Sequence, residues 1–337
     1  MRLGVLISAN DPWRVFEDVY QYLRSHYVVD LFEPRQIKTP ILHHRINRML
    51  FHRELDSFLR SHDVVFFEWA SELLAAATHL PKRCSIVTRL HRYELFSWAA
   101  AINWDVVDRI ILVSQAMQRK FVAQFPAQAH KTVVVPVGVS LEQYRPHEKP
   151  FAGDIGTVCY LTPRKRVYEL ILAFHELTQQ RDRFHLHVAG GQDDASRDYY
   201  DALRSLVHRL KLQDKVTFHG EIKRAWEWYR NIDIFVSNSF SEGLQAAPIE
   251  AMASGCYTLS HHWDGADELL PEANLFLTEH ELRQRILSYD DASEAERRLR
   301  QEEMRAIACE RFDLRHVESR IHKVIEEVAS IRSADVR

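Results

Sequence analysis

Short apolar runs rich in β-branched residues alternate along the chain with longer stretches whose apolar positions recur at helical spacing. This is the pattern of parallel sheets covered by helices. In the first half the apolar runs predict strands at Leu3–Ser8, Tyr27–Leu31, Val64–Glu68, Ser85–Leu90, Arg109–Val113 and Thr132–Val135, with helices between them. The stretch from Val135 to Pro146 then breaks the alternation with Pro136, Gly138 and Pro146, and Pro150 and Gly153 follow closely. Such punctuation predicts a linker between domains. Beyond it the alternation restarts, with strands predicted at Ile155–Tyr160, His185–Ala189, Val216–His219, Ile232–Val236 and Tyr257–Ser260. Helices are predicted at Val167–Gln180, Arg197–Lys211, Arg224–Arg230 and Ala246–Ser254.

With 337 residues the chain is long enough for two domains, each with its own core. The expected fold class is therefore α/β, with two Rossmann-like parallel-sheet domains facing a cleft. Their expected extents are 1–145 and 146–310, followed by a charged helical tail, 311–337, able to pack back on the first domain. Ligands of open parallel sheets bind beyond the carboxyl ends of the strands, so two such domains would close on a substrate from both sides.

Composition narrows the classes. Apolar residues make up 46% and charged residues 27%, and the formal net charge is -3, which gives no general reason to expect nucleic acid as a partner. Cys84, Cys159, Cys256 and Cys309 are widely spaced and have no zinc-ligand spacing, so reduced thiols and no metal are expected. The opening apolar run reaches Asn10-Asp-Pro-Trp13 too soon for a signal peptide, and no run approaches the ~20 apolar residues of a spanning helix. A cytoplasmic protein is expected. One stretch qualifies this. Over residues 34–60, Arg35, Lys38, Arg45, Arg48 and Arg53 are interleaved with Ile41, Leu42, Ile46, Met49, Leu50 and Phe51 at helical spacing. A helix covering a sheet accounts for that pattern, and so does a basic amphipathic helix in peripheral contact with anionic lipid at the inner face of a membrane or with a phosphorylated acceptor.

The stretch with most chemical content runs from Ser237 to Cys256. A strand passes into the turn Ser241-Glu-Gly243 and then into an Ala-rich helix, which places Glu242 before the helix and Glu250 within it. A helix start offers backbone N–H groups to a phosphate or diphosphate. At ~1.5 Å rise per residue the two carboxylates would lie on the order of 10 Å apart, a spacing that suits a nucleotide-sugar. An ordinary helix with a solvated Glu250 fits the same residues. A second feature is the basic turn Arg164-Lys-Arg166 just before a predicted helix. Cations beside a helix N-terminus run against the dipole preference unless an anion sits there, although a solvated basic turn has the same composition. Gly190 and Gly191 end a predicted strand, where the missing side chains would let a ligand or another backbone come close.

Glu242-Gly, a Pro in the first helical turn, small Ala residues and the closing Ser254-Gly255 together resemble the paired-glutamate motif of retaining GT-B glycosyltransferases of family four, the glycosyl transferases group one. Ile155–Val167 resembles that family's diphosphate-binding turn, with Lys165 matching its Lys. Tyr160 stands where the family has Arg, Cys159 and Arg166 stand for its two glycines, and Arg164 or Arg166 could supply the missing charge. His91, in Thr88-Arg-Leu-His-Arg-Tyr-Glu94, resembles the family histidine that touches the donor sugar and phosphate. The Asp108–Met117 segment and the linker also resemble family segments. The likeness is strong over 108–271 and weak before it.

The resemblance implies a metal-independent, cofactor-free enzyme that moves a sugar with retention from a nucleoside-diphosphate sugar to an acceptor hydroxyl, in glycan or lipid-linked saccharide assembly. Glu242, His91 and Lys165 would be catalytic. Glu250, Arg164, Arg166, Gly243, Leu244, Gln245 and Gly190 would bind the donor. Ala266–Glu268 would line the nucleotide pocket, and His91 would reach the donor from the first domain. A non-catalytic nucleotide-sugar-binding protein or a sugar epimerase on the same fold are the alternatives.

Overall fold

In the computed structural model the described residues are 1–8, 11, 13, 16–35, 43–192 and 196–335. Asn10 and Pro12, and Lys38, Ile41 and Leu42 of the basic stretch, lie outside them. The chain forms two compact units: residues 1–136 with 316–337, and residues 137–315. The division at Val137 falls inside the proline-containing linker.

In the first unit the order is β1 (Arg2–Leu6), α1 (Glu17–His26), β2 (Val28–Leu31), α2 (His43–Arg60), β3 (Val64–Glu68), α3 (Glu72–Thr78), β4 (Ser85–Leu90), α4 (Tyr93–Ser97), β5 (Arg109–Leu112), α5 (Gln115–Gln124) and β6 (Thr132–Val134). The strands form one parallel sheet in the order β2-β1-β3-β4-β5-β6. Its centre is apolar on both faces, as a sheet with helices on either side requires, and every residue of β3 and β4 is buried. Helix α2 buries Leu55 and Leu59 and leaves Ile46 and Met49 exposed.

The second unit contains β7 (Asp154–Val158), α6 (Val167–Gln180), β8 (His185–Ala189), α7 (Arg197–Arg209), β9 (Val216–Gly220), α8 (Ala225–Tyr229), β10 (Ile234–Ser237), α9 (Ala246–Ala253), β11 (Tyr257–His261), β12 (Leu275–Phe276), α10 (Glu279–Asp290) and α11 (Glu294–Phe312). Helix α12 (Leu314–Asp335) follows, and most of it belongs to the first unit. The second sheet is also parallel, in the order β12-β11-β10-β7-β8-β9. Helix α10 is closed by a capping box in which Thr278 accepts from the N–H of Glu281 while Glu281 accepts from the N–H of Thr278. Thr278→Ala should cost about 1 kcal/mol in urea denaturation, whereas Thr278→Ser should cost little.

One expectation shifts. The strand predicted from Ile232 begins at Ile234, and Asp233 just before it accepts the N–H groups of Ala152, Gly153 and Asp154 with its carboxylate at 3.0, 2.8 and 2.9 Å, which ties the end of the linker to the sheet. The helix predicted from Ala246 begins there, with Gln245 as its extended cap residue, so Gly243 and Leu244 belong to the preceding turn. Among the described residues no helix is long and apolar enough to cross a membrane.

Candidate functional site

In the second sheet the chain runs outward from β7 through β8 to β9, then returns to the other side of β7 for β10, β11 and β12. The strand order therefore reverses between β7 and β10, and it is beyond the carboxyl ends of the strands at such a point that open parallel sheets bind their ligands. The basic turn follows β7 and the Glu242 turn follows β10, so the two segments singled out in the sequence meet at the switch point.

The meeting is direct. Glu242 Oε1 accepts from Lys165 Nζ at 2.7 Å, from Arg164 Nη1, and from Gln245 Nε2 at 2.7 Å. Arg164 Nη1 also donates to the carbonyl of Ser241 at 2.9 Å, and Gln245 Nε2 to Ser239 Oγ at 3.0 Å. Ser237 Oγ in turn donates to Gln245 Oε1. The Glu242 side chain is 9% exposed and that of Lys165 13%, so both charges are largely out of water. Burial pushes the Glu242 carboxyl up, but Lys165 and Arg164 outweigh it and hold the group below its ordinary value. The basic turn thus has its anion, and the chain itself provides it.

Arg166 is set apart. It ion-pairs with Glu279 at the start of α10, and its carbonyl accepts from Asn238 Nδ2 at 2.9 Å. Its backbone is left-handed, with φ 51°. A left-handed residue closing a 3-10 turn into a helix is the geometry glycine adopts most cheaply. Gly190, with φ 134°, is required for an internal reason: a Cβ there would lie 1.7 Å from the carbonyl oxygen of Cys159. The close approach is to the β7 turn. Tyr160 is 61% exposed beside it, and burial pushes the Cys159 thiol up to about 11, so it stays protonated.

Glu250 is half-buried on α9. Its Oε2 accepts from Tyr229 Oη at 3.1 Å, and the same hydroxyl also contacts the carbonyl of Ala247 at 3.0 Å. Tyr229 is 1% exposed, and its ring fills the core as the sequence leads one to expect, but its hydroxyl holds a site carboxylate. Nothing in the sequence spacing of Tyr229 and Glu250 announces that bond. Ala266–Glu268 form a 3-10 turn after β11.

In the first unit His91 follows β4 and is buried, its ring stacked on Trp69 at 3.8 Å between centroids. His91 Nε2 lies 2.9 Å from Glu68 Oε1, and the His91 N–H donates to Glu94 Oε1 at 3.0 Å. Glu68 and Arg89 are directly opposite in the β3–β4 register and form a buried pair, Arg89 Nε reaching both carboxylate oxygens at 2.9 and 3.0 Å. Asp11 accepts from Tyr93 Oη and from Ser71 Oγ, the latter at 3.1 Å. His91 stands after β4 as its sequence position suggests, whereas its carboxylate neighbours Glu68 and Glu94 have no signal in the sequence. Among the described residues no group of His, Cys, Asp and Glu is placed to hold a metal ion.

Residues 152–288 match a family model described as glycosyl transferases group 1. The chain is 29% identical over 167 residues to D-inositol 3-phosphate glycosyltransferase 2 of Catenulispora acidiphila, covering 45% of this chain and 39% of that protein. It is 24% identical over 201 residues to alpha-monoglucosyldiacylglycerol synthase of Streptococcus pneumoniae, covering 54% of this chain and 44% of that protein. The alignments thus span less than half of these relatives' length. Among solved structures the fold is similar to that of HepE of Anabaena in complex with UDP and glucose, with a TM-score of 0.79 at 20% identity over 97% of this chain and 99% of that one. It is likewise similar to sucrose-phosphate synthase from Thermosynechococcus elongatus, with a TM-score of 0.76 at 15% identity over 98% of this chain and 100% of that one. The fold is GT-B.

Proposed function

We propose, from the match of residues 152–288 to the glycosyl transferases group 1 model, that this protein is a retaining glycosyltransferase that moves a hexosyl group from a nucleoside-diphosphate sugar to an acceptor hydroxyl, in glycan or lipid-linked saccharide assembly. What supports this most is the cluster of Lys165, Arg164 and Glu242 at the switch point between β7 and β10. A diphosphate leaving group gathers negative charge as its bond to the anomeric carbon breaks, so fixed cations in a site poor in water are the chief requirement. Lys165 and Arg164 meet it. They are already held in place by Glu242, so little reorganisation is needed when the diphosphate arrives. The helix start after Gln245 adds backbone N–H groups, and Gly243 and Leu244 keep the approach to it free of charge.

Glu242 then has two tasks, holding the cations and orienting the donor sugar, and its loss should depress turnover. Glu250, oriented by Tyr229, takes the ribose hydroxyls. The acceptor oxygen bonds to the anomeric carbon on the face the diphosphate leaves, and its proton passes to a donor phosphate oxygen. His91 is assigned to the donor sugar. That assignment is checked by His91→Ala, whose kcat should fall.

Glu250→Ala is expected to raise KM for the donor roughly tenfold or more with a smaller change in kcat, because a charge-assisted hydrogen bond to a diol contributes to binding in ground and transition states alike. Steady-state kinetics with varied donor checks this, and an unchanged KM contradicts the role. The function itself is tested by incubating the protein with UDP-, GDP- and ADP-sugars and acceptor saccharides and measuring nucleotide release. Release that depends on acceptor supports the proposal. Binding without release in any combination would instead support a non-catalytic binder, a reading favoured by Tyr160 in place of the family's Arg, and free isomerised sugar would support an epimerase.

A further inference from the structure

A cavity of about 420 Å³ opens in the first unit, at the opposite end of the strands from His91. In a parallel sheet all strand starts share one edge, so Lys82 just before β4, Arg109 opening β5 and Lys131 just before β6 come together there. Ile110 pairs with Thr132 in the register, which makes Arg109 and Lys131 neighbours across adjacent strands. Helix α12 supplies an apolar wall through Val328 and Ile331.

The charges in this cavity are unevenly matched. Lys131 Nζ donates to the carbonyls of Trp104 and Asp105 at 2.9 and 3.0 Å, two neutral acceptors for an ammonium with three donors. The Asp105 carboxylate is engaged instead by Gln128 Nε2 at 2.7 Å. Arg109 Nη1 donates to the carbonyl of Asp108 at 3.1 Å, while the Asp108 carboxylate is taken by Lys82 Nζ at 2.6 Å and the N–H of Ile86 at 2.7 Å. The local aspartates are thus committed elsewhere. Among the described residues neither Arg109 nor Lys131 has a carboxylate at ion-pair distance. Burial, together with Lys82 nearby, draws the Lys131 amine below its ordinary value against the pull of Asp105 and Asp108.

We propose that this cavity binds a small organic phosphate, with the phosphate between Arg109 and Lys131 and an apolar body against Val328 and Ile331. The planar fork of Arg109 and the spare donor of Lys131 match a phosphate's several acceptor oxygens, and the volume falls within the range of small-molecule sites. The site is separate from the donor chemistry of the second unit, and its test keeps the two apart.

Isothermal titration of the full chain with 1-naphthyl phosphate should give saturable binding, while uncharged 1-naphthol should give none. Arg109→Gln should weaken the phosphate roughly tenfold or more, the loss expected for a charge-assisted contact. Lys131→Met should weaken it comparably; because Lys131 also ties down two carbonyls, Arg109→Gln is the variant that decides if Lys131→Met fails to fold. Lys165→Ala, in the second unit, should leave the binding unchanged. Absence of saturable binding at millimolar concentration, equal binding by Arg109→Gln and the parent chain, or loss of binding in Lys165→Ala would each overturn the proposal.

Discussion

Lys165→Ala is expected to lower kcat/KM for the cognate donor by roughly 10² to 10³, the usual effect of removing one preorganised charge or donor from a site where negative charge develops. The expectation follows from burial. The Lys165 side chain is 13% exposed, so its charge acts through a medium far less screening than water. It is also held 2.7 Å from Glu242, so it need not be recruited from solvent during the reaction. The fold should survive the change, because Arg164 still faces Glu242 after Lys165 is gone. Lys165→Arg should recover only part of the loss, since a planar guanidinium does not reproduce a compact ammonium. Steady-state kinetics, with circular dichroism to confirm folding, checks both. A variant with parental kcat/KM would remove Lys165 from the mechanism.

Breaking the buried pair in the first unit should have an effect of similar size on stability. Arg89 and Glu68 are each 1% exposed, and Glu68→Ala leaves a guanidinium in the core without its carboxylate. Loss of one partner of a buried pair costs about 3–5 kcal/mol, whereas exchange of both for apolar residues of similar volume is often close to neutral. Guanidinium denaturation should therefore rank Glu68→Ala well below both the parent and the double variant Glu68→Leu/Arg89→Met. A single variant as stable as the parent would contradict the account of the pair. The same group sets an acid limit. Burial pushes the Glu68 carboxyl up, but Arg89 and His91 outweigh it and hold the folded value below the ordinary 4.5. A depressed carboxyl contributes its stability in full above the unfolded value, so the contribution is complete above about pH 4.5 and is lost as the pH falls below it, through the folded value.

Much of this architecture is legible in the chain itself. The parallel sheets follow from β-branched runs such as Val64–Glu68 and Arg109–Leu112, because strands buried on both faces need no polar alternation. The site is legible in part. Glu242 and Lys165 stand in segments that resemble family motifs in the sequence alone, and the switch point follows once β7 and β10 are seen to be neighbours. What escapes is whatever depends on partners distant in sequence. The Tyr229 bond to Glu250 joins residues 21 apart through a side chain that reads as core, and the Glu68–Arg89 pair exists only once β3 and β4 are in register. β12, two residues long, is too short for any periodicity to reveal. The left-handed backbone of Arg166 is hidden for another reason: an arginine there gives no sign of a conformation that glycine would advertise.

In the proposed function a donor diphosphate lodges between the turns that follow β7 and β10. Titrating UDP, GDP and ADP into the parent chain and into Lys165→Ala examines that without reference to acceptor or turnover. At least one of the three should bind the parent saturably and bind Lys165→Ala tenfold or more weakly, in line with the loss of one charge-assisted contact. Binding of none, or equal binding to both chains, would contradict it.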